Sequence, residues 1–283
     1  ELDVKLVPVD IGSELFPKNG GHFLSEVATK KNFTGIQRLI EYLRFDSLYV
    51  RSAGLWLKTR FADMKDFYDQ PLSRYLKNDS TGSLWLKLLI MYSYSTPFDL
   101  IDNFPAELAI PMLRDYLAVN WLRVEGGVYS YIEKILERFR GKVWLNVEIA
   151  NISRSSDSVK IERSNGETQE FDKVVFATPP DQVIALLADP TDAEIKRFSA
   201  WKANYATTIV HTDTSMYDKQ GIRYPTEFDF FQTDTRWGYN GCLNQLCGIP
   251  SSPQHHFLSF QLEEIIAKDR IIHIQQHHTP LYT

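Results

Sequence analysis

The stretch Trp121–Asp189 reads WLRVEGGVYSYIEKILERFRGKVWLNVEIANISRSSDSVKIERSNGETQEFDKVVFATPPDQVIALLAD. Gly126-Gly127 opens a segment whose apolar residues fall at Val128, Ile132, Ile135, Leu136 and Phe139. That spacing predicts a helix with one buried face. Gly141 is placed to close it in the left-handed conformation. Val143, Leu145 and Val147 then alternate with Trp144, Asn146 and Glu148, the period of a strand. Ile152, Val159 and Ile161 predict a short strand and its partner. Asn165-Gly166 predicts a tight hairpin, because both residues tolerate positive φ. The return strand Thr168–Phe171 leads to Val174-Val175-Phe176-Ala177, an apolar run suited to a strand buried on both faces. Thr178-Pro179-Pro180 ends that run, and Pro180 is placed to begin a helix at Asp181. The predicted order is helix, β-meander, buried strand, turn, helix.

The GG helix, VWLNVEIANI, the hairpin through NGE, and FDKVVFATPP together resemble the middle of the flavin-containing amine oxidase and FAD-dependent oxidoreductase superfamily. The resemblance implies a small β-meander laid against an FAD domain. It implies that Gly126 and Gly127 belong to the cofactor-binding region. It further implies that Ile149 offers its backbone to the adenine edge, and that Ala177, Thr178 and Pro179 turn the chain beside the cofactor. A strand end has free N–H and C=O groups able to pair with an adenine edge.

The 283 residues suffice for one large or two ordinary domains. Apolar and charged fractions of 43% and 24% are those of a soluble globular protein. A net charge of −5 gives no general attraction to nucleic acid or anionic lipid. Cys242 and Cys247, the only cysteines, make no disulfide framework and favour a reducing, cytoplasmic compartment. The longest apolar stretch, Leu84 to Tyr94, contains Lys87 and is too short to span a bilayer. No signal peptide is visible. Glu1 is not an initiator methionine, so a processed product or an excised piece of a longer chain is expected.

Val4 to Gly12 reads as a strand ending in a tight turn and resembles the VDxG segment that follows the family's first FAD-binding unit. No GxGxxG occurs among the 14 glycines, so no pyrophosphate site is visible. Both that N-terminal unit and a C-terminal FAD-closing segment are expected to lie outside this sequence. Ile36, Leu39, Ile40 and Leu43 predict an amphipathic helix, and Asp46 to Thr59 predicts short strands with Gly54 as a turn or bulge. Ala62 to Asn120 is helical in pattern, with breaks near Gln70-Pro71, Asn78 to Gly82 and Thr96-Pro97. Within it, Leu84 to Ile90 is apolar nearly all round and predicts a buried helix. Pro105 fits a helix start, and Pro111 a first turn or a kink. The resemblance assigns this region to a substrate domain covering a cavity, with the sheet containing Tyr205 to Thr214 as its floor. Thr191-x-x-Glu194 is a capping box.

Tyr205 to Thr214, NGCLNQLCGI, FLSFQL and RIIHIQQHHTPLYT resemble one branch of these oxidoreductases. Thr279 separates His278 from Pro280, where that branch has histidine and proline adjacent. His255-His256, His277-His278 and the two cysteines lack any CxxC or HxxxH spacing, so no metal is expected. His211 is read as a strand histidine with a local partner. Trp237 and Tyr239 are the candidate substrate-binding residues. No motif names a catalytic residue.

The expected fold class is α+β, a mixed, largely antiparallel sheet with a helical insertion plus a small β-meander of the FAD-domain type. Residues 1–120 form the first segment of a substrate domain, with its helical region at 62–120. Residues 121–180 form the GG helix and FAD-contacting meander, and 181–283 the second segment of the substrate domain. The implied function is the substrate-binding portion of an amine-oxidase-like flavoprotein, inactive alone, which passes hydride from a small-molecule substrate to FAD in the full-length protein. This chain is not expected to retain FAD by itself. The alternative is a non-catalytic binding or interaction module of the same architecture without flavin.

Overall fold

The computed structural model describes residues 3–77, 80–116, 120–249 and 252–282. Its elements run β1 (Leu6–Pro8), β2 (Ser13–Phe16), α1 (Glu26–Asn32), α2 (Gly35–Thr59), α3 (Thr81–Tyr94), α4 (Ala106–Tyr116), β3 (Leu122–Val124) and α5 (Tyr129–Arg138). There follow β4 (Ile149–Arg154), β5 (Val159–Arg163), β6 (Thr168–Phe171), α6 (Pro180–Leu186), α7 (Asp192–Phe198) and β7 (Trp201–His211). The chain ends with α8 (Ser215–Asp218), β8 (Phe228–Gln232), β9 (Trp237–Cys242), α9 (Leu243–Leu246), β10 (Phe257–Phe260) and β11 (Ile271–Tyr282). Two compact units divide it: unit 1 is Glu1–Glu137 with Ala206–His277, and unit 2 is Arg138–Tyr205 with His278–Thr283.

Unit 1 is built on a six-stranded sheet ordered β11-β7-β10-β9-β8-β2. β2 pairs with β8 in parallel, while β8, β9, β10 and β7 pair antiparallel in succession. This is the mixed, largely antiparallel sheet expected from the sequence. Because side chains alternate across a strand, Leu15, Phe230, Tyr239 and Phe260 face one side. There Phe45, Leu48, Leu88 and Leu113 of α2, α3 and α4 cover them. Phe16, Phe231, Cys242 and Phe257 face the other side, against Leu24, Ala28, Met216 and Leu262. α3 is buried all round as its sequence predicts, and even Lys87 is sealed in, paired with Asp102. Its start is capped by Ser80, whose Oγ accepts from Ser83 N at 3.2 Å. Pro105 directly precedes α4, and Pro111 lies inside it. The expected break at Asn78 lies partly outside the described residues.

Unit 2 carries the meander. β4, β5 and β6 pair antiparallel in that order, and Gly166 turns the hairpin at φ +85°. Ile152 packs with Val183 of α6 and Leu187, and Ala188 N donates to Ile152 O at 2.9 Å. The capping box is complete: Thr191 Oγ1 accepts from Glu194 N at 3.3 Å, and Glu194 accepts from Thr191 N at 2.8 Å.

Five expectations fail. Asp46 to Thr59 is not strand but the C-terminal half of α2, whose buried face is Glu41, Phe45, Leu48, Ser52, Leu55 and Thr59. Ile36, Leu39, Ile40 and Leu43 do lie on a helix, yet they are its exposed side. The alternating residues 143–147 and the run 174–177 form no strand, because no described segment pairs with them, and a strand exists only within a ladder. Leu145 is 79% and Val175 90% exposed. α5 is amphipathic as expected, but Val128, Ile135, Leu136 and Phe139 stand exposed. Gly141 does not take positive φ.

Candidate functional site

In unit 2, the meander starts at Ile149, half-buried and paired across to Arg163. The register shifts between Ile149 and Asn151. β4 is an edge strand, and its outer side meets only the bridge from Ile152 to Leu187 among the described residues. Beside its start lies a depression of about 260 Å³ lined by Asn146, Val147, Glu148, Arg163, Ser164 and Asn165. Asn146 takes φ +56°, the Arg163 guanidinium stacks 5.1 Å from the Trp144 ring, and Ser164 N donates to Glu148 O at 3.0 Å.

The turn at Ala177-Thr178-Pro179 is at the surface, with Ala177 and Thr178 exposed. Pro179 caps α6, and Pro180 begins it, as its fixed φ and missing N–H suit a first turn. The next two residues meet a side chain distant in sequence. Asp181 Oδ2 lies 2.9 Å from His278 Nε2, and Gln182 Nε2 lies 2.8 Å from His278 Nδ1. The Tyr205 ring stacks on the His278 imidazole at 5.0 Å. The sequence offered no local signal for this group, since Asp181 and His278 are joined only by the fold.

Gly126 and Gly127 belong to unit 1, so the expected cofactor residues do not all share one unit. Both glycines take left-handed φ, +80° and +91°. Gly127 O receives the Ser130 hydroxyl at 2.7 Å, which fixes the turn into α5.

Trp237 is buried at the start of β9 and lines a cavity of about 660 Å³ with Phe98, Asp99, Asp234, Arg236 and Gln261. Gln261 has φ +57°, and its Oε1 has no hydrogen-bond partner. Thr233 and Thr235 hydroxyls each donate to Glu264 Oε1 at 2.7 Å, and Arg236 lies 3.7 Å from the same oxygen. The cavity therefore has two aromatic walls and polar groups of both signs. Phe98 belongs to the helical region and Trp237 to the sheet, and their rings meet at 6.3 Å between centroids beside this depression. β7, the expected floor, does not line it. Tyr239 is packed against Tyr92 and Phe260, and its hydroxyl is pushed up to about 12 by burial.

The sheet face of unit 1 opposite α2–α4 holds a chain of buried polar groups. Tyr217 donates to Asp229 at 2.7 Å, and Asn240 Nδ2 to the Tyr217 oxygen at 2.9 Å. Ser259 donates to Asn240 Oδ1 at 2.6 Å, and His211 Nε2 lies 2.7 Å from the Ser259 hydroxyl. His211 Nδ1 accepts from Asp213 N at 3.1 Å, so Nε2 carries the proton. Burial lowers the pKa of His211. With both nitrogens engaged, the imidazole is a neutral linker and not a base, as expected of a strand histidine with local partners. Glu14 stands beside Asp229 in the parallel β2–β8 pair, fully buried, with neither carboxyl oxygen hydrogen-bonded. Burial, then the Asp229 and Glu227 charges, hold its carboxyl well above the usual range, and burial raises Asp229 to about 7. Among the described residues no group of three or more His, Cys, Asp or Glu is arranged to hold a metal.

Comparison with known proteins gives these features a family. The chain resembles putrescine oxidase bound to putrescine, with a TM-score of 0.55 at 15% identity over 92% of this chain. It spans about 60% of the length of that relative. It also resembles a CLA-producing fatty acid isomerase from P. acnes, at TM-score 0.58 and 13% identity over 99% of this chain and 69% of that one. Cyclohexylamine oxidase from Brevibacterium oxydans IH-35A superposes at TM-score 0.55 and 10% identity, over 98% of this chain and 68% of that one. At such identities the likeness establishes the fold. A search of curated proteins gives no match. The family model for flavin containing amine oxidoreductase matches residues 32–244, which spans α2 to α8, the meander and three of the six strands of the large sheet, and the chain belongs to that family.

Proposed function

We propose that this chain is the substrate-binding portion of a flavin-dependent oxidoreductase whose remaining FAD-binding segments lie outside these 283 residues. One observation carries the reading. The two strand-like runs that flank the meander, 143–147 and 174–177, have no ladder partner among the described residues; 143–147 and Val175 are exposed, while Val174 and Phe176 pack half-buried against the Ile152 cluster. Apolar strands of this kind are stable only when paired and covered, so they are proposed to complete a sheet with the FAD-binding segment.

The residues present fit FAD. Ile149 heads an edge strand whose outer backbone groups are open to an adenine edge, beside a polar depression. Ala177, Thr178 and Pro179 form a surface turn, and Gly126 and Gly127 are held in φ that only glycine adopts freely. These six are the proposed cofactor contacts. When bound, FAD would supply the acceptor for hydride leaving a carbon–nitrogen or carbon–carbon bond. Trp237, with Tyr239 packed in the same strand, is proposed to orient a small-molecule substrate. Residues 1–120 and 181–283 are proposed as the two segments of the substrate domain and 121–180 as the FAD-contacting piece. The two free thiols fit a reducing, cytoplasmic compartment.

The test compares this chain with the longer protein that includes the upstream segment. The longer protein is expected to copurify with stoichiometric flavin absorbance and to resist proteolysis across 139–148 and 172–178. The 283-residue chain is expected to carry no flavin and to be cut there. Flavin retained by the short chain, or equal cleavage in both, overturns the reading.

A further inference from the structure

α2 carries two apolar stripes, and only one is used. The covered stripe advances by alternating steps of four and three residues, from Glu41 through Phe45, Leu48, Ser52 and Leu55 to Thr59. On the opposite side Ile36, Ile40, Leu43, Val50 and Leu57 follow the same steps, with positions 47 and 54 completing the series, and Phe61 continues it in sequence just past the helix end at Thr59. Those six apolar side chains are between 49 and 91% exposed. A 4-3 repeat is the seam by which one helix packs along another. It is narrower than the broad, cation-flanked face of a helix lying on lipid, and its flanks here mix Gln37, Arg44, Asp46 and Lys58.

The seam has an internal symmetry. Read from its two ends toward the middle, its described residues pair as Ile36 with Phe61, Ile40 with Leu57, and Leu43 with Gly54. The Leu43–Gly54 pair joins a large residue to a small one. Gly54 has no internal reason to be glycine, since a Cβ there meets nothing within 4 Å. Glycine also weakens a helix interior. A missing side chain facing open space is what a knob from another helix needs.

We propose that α2 docks antiparallel on α2 of a second copy of this chain, about a two-fold axis passing between Leu48 and Tyr49. Leu43 then fills the space over the partner's Gly54, and by symmetry Gly54 receives the partner's Leu43. An isologous contact demands this reciprocity. The area is sufficient. The six seam side chains, with Leu39 and Tyr49, each offer on the order of 100 Å², or roughly 800 Å² per copy, the share of a stable interface. A groove of about 450 Å³ lined by Leu39, Tyr42, Leu43 and Tyr49 runs beside the seam and gives the flanking side chains room to interdigitate. The inference is independent of the flavin reading.

Sedimentation equilibrium on the 283-residue chain tests it, with circular dichroism confirming the fold of each variant. The parent is expected to be a dimer that dissociates on dilution. Gly54→Leu improves helix propensity, so it does not threaten folding, yet it fills the space that Leu43 needs. It is expected to weaken dimerisation by about tenfold or more. Leu43→Ala combined with Gly54→Leu exchanges large for small in the same layer and is expected to restore dimerisation to within about threefold. A parent that stays monomeric up to about 100 µM overturns the proposal. So does Gly54→Leu with unchanged dimerisation, or a double variant that stays as weak as the single one. A monomeric parent that cosediments with phosphatidylcholine–phosphatidylglycerol vesicles overturns it in favour of a lipid surface.

Discussion

The sheet of unit 1 and the meander of unit 2 are built from similar sequence patterns, yet they end in different states. β8 and β9 are buried on both faces, with α2–α4 on one side and α1, α8 and the Leu262–Ile266 segment on the other. In the run 174–177 of unit 2, no less apolar, Val174 and Phe176 pack half-buried on the Ile152 cluster, Val175 is bare, and none of the four joins a ladder among the described residues. Composition does not separate them. Phe230 has neighbours on both edges, Leu15 and Tyr239 in register, whereas Val175 has none among the described residues. A strand pattern states a capacity, and pairing decides whether it is used.

The largest effect that would break this comparison is at Phe230. It is fully buried between the sheet and the helices, so Phe230→Ala is expected to cost about 3–5 kcal/mol in denaturant unfolding. A loss below about 1 kcal/mol would mean that unit 1 does not hold its core as described.

The second effect is a gain. Glu14 is buried beside Asp229 without a donor, and its carboxyl is held well above its ordinary value of about 4.3 by burial and neighbouring acids. Above that ordinary value the unfolded chain has already lost the proton that the folded chain retains. Stability is therefore full below the unfolded pKa and falls as pH rises toward the folded one. Glu14→Gln keeps the shape and removes the titration. It is expected to stabilise the protein by on the order of 1–3 kcal/mol at pH 8 and to flatten the loss between about pH 5 and 8. Parallel pH profiles for parent and variant would refute the buried, unpaired state.

Much of unit 2 was legible because its signals are local. Asn165-Gly166 demands positive φ, Thr191 and Glu194 cap each other within one turn, and Pro180 can only begin a helix. α2 was misread because Tyr49-Val50 and Leu55-Trp56-Leu57 look like strands around a glycine. Two apolar faces on one helix erase the single-face period. The buried acids had only a faint signal, a lone carboxylate inside SELF and inside FDFF. Their juxtaposition arises from a parallel pairing between residues more than two hundred positions apart, which no window of sequence contains. His278 and Asp181, distant in sequence though less so, are likewise brought together only by the fold.

The third effect concerns the longer flavoprotein. If Ile149 pairs with adenine through its backbone, Ile149→Val should leave flavin affinity nearly unchanged. Ile149→Pro removes the N–H and fixes φ. One lost hydrogen bond is worth about 1 kcal/mol or somewhat more, an affinity loss of about five- to tenfold. With folding confirmed by circular dichroism, equal FAD affinity in the two variants would remove Ile149 from the cofactor site.

The smallest effect sharpens the comparison most. Val175 is 90% exposed in this chain, so Val175→Ala removes almost no buried surface. Its cost here is expected to lie within about 0.5 kcal/mol, the range of ordinary surface changes. In the longer protein the proposed FAD-binding segment would pair with the run 174–177 and cover it, and losing two buried methyl groups should then cost about 1–2 kcal/mol. The informative quantity is the difference between the two backgrounds, because alterations of the unfolded chain are common to both. An equal, negligible cost in both would show that this run stays exposed in the longer protein. It would then be a surface loop, and the two units would differ in their sequence design and not merely in which partners they have found.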